Sequence, residues 1–170
     1  RTLQLLELCH RRRTPIFTFV KKCDRPGADP LQLLDDVERD LGLRCYPVTW
    51  PITAGDRLVG VYDREERQIH MFERGEDHGQ TRVGTQVGSL DDPAVRALVG
   101  EEAHDRLLAE IELLDLAGEE FSDEEFLAGR VSPTFFGSAM TTFGVEPFLR
   151  KFLVRAPAPT PREASTGEVR

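Results

Sequence analysis

Apolar positions along this chain switch between a helical and a strand-like period, and the switches mark where elements begin and end. Leu5, Leu6 and Cys9 share one helical face, and the run Pro15-Ile16-Phe17-Thr18-Phe19-Val20 after them reads as a buried strand. Asp29-Pro30 offers an N-cap with proline at the first helical position. Leu33, Leu34, Val37 and Leu41 then form an apolar stripe, and Gly42 is placed to stop the helix. From Arg44 to Arg82 the rhythm changes. Cys45–Trp50, Leu58–Tyr62 and Gln68–Phe72 are short strand-like pieces divided by Gly, Asp and charged clusters. Asp92-Pro93 opens a second helical region with a stripe at Leu107, Ile111 and Leu114, and Ser122-Asp123-Glu124-Glu125 fits a capping box. Thr134-Phe135-Phe136 reads as another strand. Val145, Phe148, Leu149, Phe152 and Leu153 are spaced as a helix laid on a sheet.

Helix, strand and helix joined by short connections predict α/β layers, interrupted by a β-rich stretch. The chain begins at Arg1 inside the first helical stripe, which suggests a start within an element. Arg155-Ala156-Pro157-Ala158-Pro159-Thr160-Pro161 reads as a semi-rigid spacer, an interdomain linker followed by a polar tail. The basic cluster His10-Arg11-Arg12-Arg13 suits a helix C-terminus, where cations offset the macrodipole, better than a nucleic-acid contact. The Glu-rich stretch around Glu101, Glu102, Glu110 and Glu112 reads as a solvated helix face.

Composition narrows the classes. At 170 residues, 39% hydrophobic and 31% charged, the chain is long enough for one domain with a real core. A formal net charge of −8 argues against a broad phosphate-binding surface, and so against direct sequence-specific nucleic-acid binding by this portion. No apolar run approaches the roughly 20 residues that span a bilayer. Cys9, Cys23 and Cys45 show no paired spacing and read as reduced cytoplasmic thiols. The four histidines, His10, His70, His78 and His104, lack ligand spacing, so no metal site is expected from this chain alone.

The chemistry gathers at two loops, each following a strand. Lys21-Lys22-Cys23-Asp24 closes the first and Gly137-Ser138-Ala139-Met140 the second. Guanine presents two neighbouring donors, N1–H and the exocyclic amine, beside an acceptor. A carboxylate in the plane of the base, as Asp24 would supply, accepts both at once. The methylene stem of Lys22 can cover the flat face of the base while its ammonium stays wet. The small residues Ser138 and Ala139 allow a backbone N–H to approach the base oxygen. Either loop alone is common; in this order with helices between, they are moderately specific for guanine recognition. Gly-x-x-x-x-Gly-Lys-[Ser/Thr], the loop that cradles phosphates, occurs nowhere in the sequence.

These loops resemble the Asn-Lys-x-Asp and Ser-Ala-x signatures of GTPases, with Lys21 standing where asparagine is usual. Thr14–Phe19, Asp29-Pro30-Leu31, Tyr46-Pro47-Val48-Thr49-Trp50-Pro51-Ile52 and Gly60-Val61-Tyr62 extend the likeness. Phe126-Leu127-Ala128-Gly129, Pro133-x-Phe135-Phe136-Gly137-Ser138-Ala139, Phe143-Gly144-Val145 and Ala156-Pro157-Ala158-Pro159 complete it. Together they resemble bacterial peptide chain release factor 3 over essentially the whole chain, with elongation factor G the nearest alternative.

The resemblance implies an α/β fold: part of a P-loop GTPase domain, a mostly parallel sheet flanked by helices, with a β-rich inserted subdomain. Residues 1–43 would be GTPase core, 44–120 the insertion, 121–155 the return to the core, and 156–170 a linker. It implies a ribosome-associated GTPase of translation termination that binds GTP and GDP and promotes departure of the stop-codon-reading release factors, met indirectly through the ribosome. Lys21, Lys22, Cys23, Asp24, Ser138, Ala139 and Met140 would form the guanine site. Mg²⁺ would be held only through groups outside this chain, and no catalytic residue would lie within it. The reading from another class is a non-enzymatic ribosome-interaction module with an eroded pocket, motivated by Lys21.

Overall fold

The computed structural model describes residues 2–21, 23, 29–55, 57–73, 82–118, 120–138, 142–158, 162–164 and 167–169. Helix α1 (Thr2–Arg11) leads to β1 (Thr18–Val20), and α2 (Pro30–Leu41) leads to β2 (Arg44–Pro47). Strands β3 (Thr49–Ala54), β4 (Arg57–Asp63), β5 (Gln68–Glu73) and β6 (Arg82–Gly88) follow. Helices α3 (Pro93–Val99), α4 (Glu101–Ala117) and α5 (Asp123–Leu127) precede β7 (Val131–Phe136). Helix α6 (Val145–Arg155) and the small pair β8 (Arg162–Ala164) and β9 (Gly167–Val169) end the chain.

The helix ends fall where short polar side chains and glycine dictate. Asp29 accepts the Leu31 N–H at 2.7 Å, Asp92 accepts that of Ala94 at 2.9 Å, and Ser122 accepts that of Glu125 at 3.3 Å. Gly42 closes α2 in the left-handed conformation, its N–H donating to the Glu38 carbonyl at 2.8 Å.

Three parallel strands in the order β1-β7-β2 form one sheet, and β3-β4-β5-β6 form an antiparallel one. The α/β architecture read from the sequence is therefore present. Strand β7 is buried along its whole length. Its polar residues are satisfied inside the sheet. Ser132 Oγ lies 2.8 Å from Thr18 Oγ1 and donates to the Ile16 carbonyl at 2.9 Å, while Thr134 Oγ1 donates to the Ser132 carbonyl at 3.1 Å.

Two segments differ from the sequence reading in extent. The buried run from Pro15 pairs with β7 only from Thr18; proline has no N–H to give to a ladder, and the Ile16 carbonyl is taken by a side chain. The expected strand Cys45–Trp50 is two strands on two sheets. Arg44–Pro47 runs parallel to β7, then the chain turns at Val48, and Thr49–Ala54 pairs antiparallel with β4. Val48 N–H donates to the Thr134 carbonyl at 2.8 Å, and Thr49 Oγ1 accepts from the Phe136 N–H at 3.0 Å, so the turn itself is bonded to β7.

Trp50, Ile52, Tyr62 and Ile69 from the antiparallel sheet pack with Val95, Val99, Leu107 and Ile111 from α3 and α4, and Phe136 and Leu34 join the same core. Trp50 Nε1 donates to Glu110 Oε2 at 2.7 Å, fixing α4 against β3. Over the parallel sheet, the Phe148 ring of α6 meets Phe19 at 5.4 Å and Phe135 at 5.2 Å between centroids. The stripe expected on α6 is covered only in part: Phe148 turns inward, whereas Phe152 is 38%, Leu149 48% and Leu153 79% exposed.

An ion cluster ties α6 to the β4–β5 turn. Lys151 Nζ lies 3.1 Å from Glu65, 3.0 Å from Glu66 and 3.6 Å from Asp63, and Arg155 reaches Glu65 at 2.7 Å. The hydrogen bond from Lys151, followed by weaker influences, holds the Glu66 carboxyl below its ordinary 4.5. Its stabilising contribution is therefore complete above that value and is lost as the pH falls through the lowered one. Asp63, raised by burial, acts in the opposite sense, its charged form costing stability as the pH rises through its folded value. Lys151→Met should therefore flatten the acid-side loss contributed by Glu66, read as urea midpoints across the acid range. An unchanged acid limb in the variant would show that the pair does not link this helix to the turn.

Candidate base-binding site

Both signature loops leave the same end of neighbouring parallel strands. In the β1–β7 register, Thr18, Phe19 and Val20 face Thr134, Phe135 and Phe136. One residue further on, the loops are stitched together. Gly137 N–H donates to the Val20 carbonyl at 3.0 Å, and Cys23 N–H returns to the Gly137 carbonyl at 3.2 Å. The half-buried Cys23 thiol turns back on its own strand, 3.4 Å from the Val20 carbonyl, and packs against the core. Ligands of open α/β sheets bind outside such carboxyl ends.

The second loop closes on itself just as tightly. Ser138 is fully buried, and its N–H donates to the Phe143 carbonyl at 2.9 Å. Phe143 in turn stacks on Phe72 of β5, with centroids 4.1 Å apart and the planes 15° from parallel. Two glycines make this closure possible. A Cβ on Gly137 would stand 2.2 Å from the Phe143 carbonyl oxygen and 2.9 Å from Phe19 Cζ. Gly144 has φ +74°, and a Cβ there would stand 2.4 Å from the Phe136 carbonyl oxygen.

Of the seven residues read as guanine-binding, the structure describes Lys21, Cys23 and Ser138; Lys22, Asp24, Ala139 and Met140 lie outside the described residues. Lys21 is exposed at the mouth of the first loop, whereas Cys23 and Ser138 serve as its frame. Phe143 and Gly144 belong to that frame and were not singled out from the sequence as site residues. Their signal is a second Phe-Gly pair that answers Phe136-Gly137 across the loop. A separate cleft of about 670 Å³, lined by Leu34, Arg44, Cys45, Leu114 and Val131 among others, lies beside the start of β2 and β7, away from these loops.

The elongation factor Tu GTP binding domain family matches residues 1–158. Peptide chain release factor 3 of Symbiobacterium thermophilum is 47% identical over 163 residues, which are 96% of this chain and 31% of that protein. Peptide chain release factor 3 of Trichodesmium erythraeum is 46% identical over 168 residues, 99% of this chain and 31% of that protein. The chain thus spans about a third of the length of these curated relatives. A crystal structure of a Thermus thermophilus protein superposes with a TM-score of 0.59 at 26% identity, covering 92% of this chain and 24% of that one.

Gly137→Ala should part the two loops, because the added methyl has only backbone oxygen and an aromatic edge to displace. The expected loss is about 2–3 kcal/mol of stability, with faster hydrogen exchange at the Cys23 and Ser138 amides. Retention of both protections in the variant would refute the close-approach argument.

Proposed function

The chain belongs to the elongation factor Tu GTP-binding domain family, and on that premise we propose that it is the base-recognising part of a ribosome-associated GTPase of translation termination. The observation that supports this reading is the bonding of Cys23 and Gly137 where β1 and β7 end side by side, since the Lys22-x-Asp24 and Ser138-Ala139 signatures are adjacent to these two residues in sequence. There the Asp24 carboxylate accepts the two guanine donors, the Lys22 stem covers the base, and the second loop offers an N–H to the base oxygen. Adenine would leave the carboxylate unpaired, and a site built on such a polar pair rejects the wrong ligand by roughly 10⁴.

Hydrolysis belongs to the whole protein. There water would attack the γ-phosphate, and a phosphate loop with Mg²⁺ would supply the charge stabilisation. This sequence carries no phosphate-loop motif to hold either the phosphates or the metal. Its own contribution is therefore selection and orientation of the base, and the isolated chain is expected to be inactive. Likeness to the release factor 3 proteins supports a role in freeing stop-codon-reading factors from the ribosome. Among the described residues no helix is long and apolar enough to cross a membrane.

Lys21 bears on affinity rather than on fold. It has donors and no acceptor, so it cannot reproduce both halves of an asparagine amide bond. GDP and ADP binding to the intact protein, with Lys21 and with Lys21→Asn, tests the proposal. Tight GDP binding with strong rejection of ADP in both, abolished by Asp24→Ala, is the expected result. Binding that appears only after Lys21→Asn would favour the interaction-module reading, and equal binding of GDP and ADP would overturn the base assignment.

A further inference from the structure

The β4–β5 turn holds a polar cluster that base recognition does not use. Asp63 ends β4 and is 1% exposed; its Oδ1 accepts the N–H groups of Glu65 at 3.0 Å and Glu66 at 2.9 Å, which fixes its orientation. His70 lies opposite Val61 in the β4–β5 register, so it shares a sheet face with Asp63, two residues further along β4. An oxygen from each of Asp63 and Glu66 and one imidazole nitrogen of His70 lie within 4.8 Å of one another. His70 is only 8% exposed, and its Nε2 is buried with no hydrogen-bond partner. A buried imidazole nitrogen left unpaired asks for something to bind.

The surrounding charges and the donor set define what could bind. Three carboxylates, Asp63, Glu65 and Glu66, face two permanent cations, Lys151 and Arg155. The neighbouring Arg150 is engaged by Glu146 at 2.8 Å. A nitrogen and two carboxylate oxygens suit a borderline transition ion better than Mg²⁺ or Ca²⁺, which take oxygen ligands.

We propose that Asp63, Glu66 and His70 form a binding site for a single divalent transition-metal ion of the zinc class, with water completing its coordination. Glu66, whose side chain is 36% exposed, swings in to complete the ligand set around the fixed Asp63 and His70. Lys151 is the resident competitor. Its ammonium contacts the same two carboxylates, and on metal binding it yields Asp63 and Glu66 while keeping Glu65. The site therefore binds more weakly than one without an internal cation, and removing that cation strengthens it.

Zinc titrated calorimetrically into the intact, chelator-stripped, nucleotide-free protein tests the proposal. One equivalent should bind, and His70→Asn and Glu66→Gln should each weaken it by roughly 100-fold. Glu66→Gln changes a partly exposed side chain and guards against a folding defect in the His70 variant, with circular dichroism as the check on both. Lys151→Met should tighten binding by about tenfold, a change of ~1.4 kcal/mol. Absence of zinc binding in both the parent protein and Lys151→Met would overturn the site. So would an equivalent that survives both ligand substitutions, which would belong to thiols or histidines elsewhere.

Discussion

A strand buried on both faces must bond every backbone group to its neighbours and place every side chain in the interior, and β7 carries that constraint here. It lies between β1 and β2 in a parallel sheet. Its last residue donates to Thr49 Oγ1, and Thr134 accepts from Val48, so the start of the antiparallel sheet also hangs on it. Buried polar side chains without partners would make such a strand costly. Ser132 and Thr134 instead bond within the sheet, and Phe135 and Phe136 supply the apolar burial on its two faces. The loop geometry follows from this strand. Gly137 continues it without a side chain, so that the two turns can share hydrogen bonds instead of facing each other across water.

The two sheets meet along contacts of different chemical kinds. Near the loops the contact is aromatic, Phe143 on Phe72 and Trp50 on Phe136. Further from the loops it is ionic, with Lys151 and Arg155 of α6 reaching the β4–β5 turn. Arg155 also lies over the Phe121 ring at 4.3 Å, drawing the segment before α5 to the same helix. Helix α6 thus touches the parallel sheet, the β4–β5 turn of the antiparallel sheet and the chain entering β7. A displacement of the antiparallel sheet would be felt at the residues flanking the second loop.

Much of this was legible in the sequence because the signals were local. Asp29-Pro30, Gly42 and Ser122–Glu125 act through hydrogen bonds a few residues long; the first and last start a helix and Gly42 stops one, each where expected. The two strand-loop pairs were legible only together, because each loop alone is common and it is their order with helices between that narrows the reading. Partnership was not. Nothing in Cys45–Trp50 distinguishes a residue bonded to β7 from one bonded to β4, since alternation is the same in either sheet. The helical stripe of α6 predicted burial for Leu149 and Leu153, because periodicity gives a face and says nothing of how far the covering surface extends. The Asp63, Glu66 and His70 grouping was hidden for a related reason. It is assembled across a strand pair, and its sequence spacing matches no ligand motif. The frame of the second loop was half visible, as the repeated Phe-Gly pair shows, though only the fold reveals that the pairs close on each other.

Trp50 is the one tryptophan of the chain, wholly buried, with its indole N–H held by a carboxylate of α4 and its ring 5.1 Å from Phe136. It therefore sits where helix α4, the antiparallel sheet and the central strand β7 converge. Its ultraviolet emission is consequently an internal gauge of that convergence. A blue-shifted maximum belongs to the closed arrangement, and a red shift to water arriving between helix and sheet. No label need be attached to watch the antiparallel sheet part from the central strand.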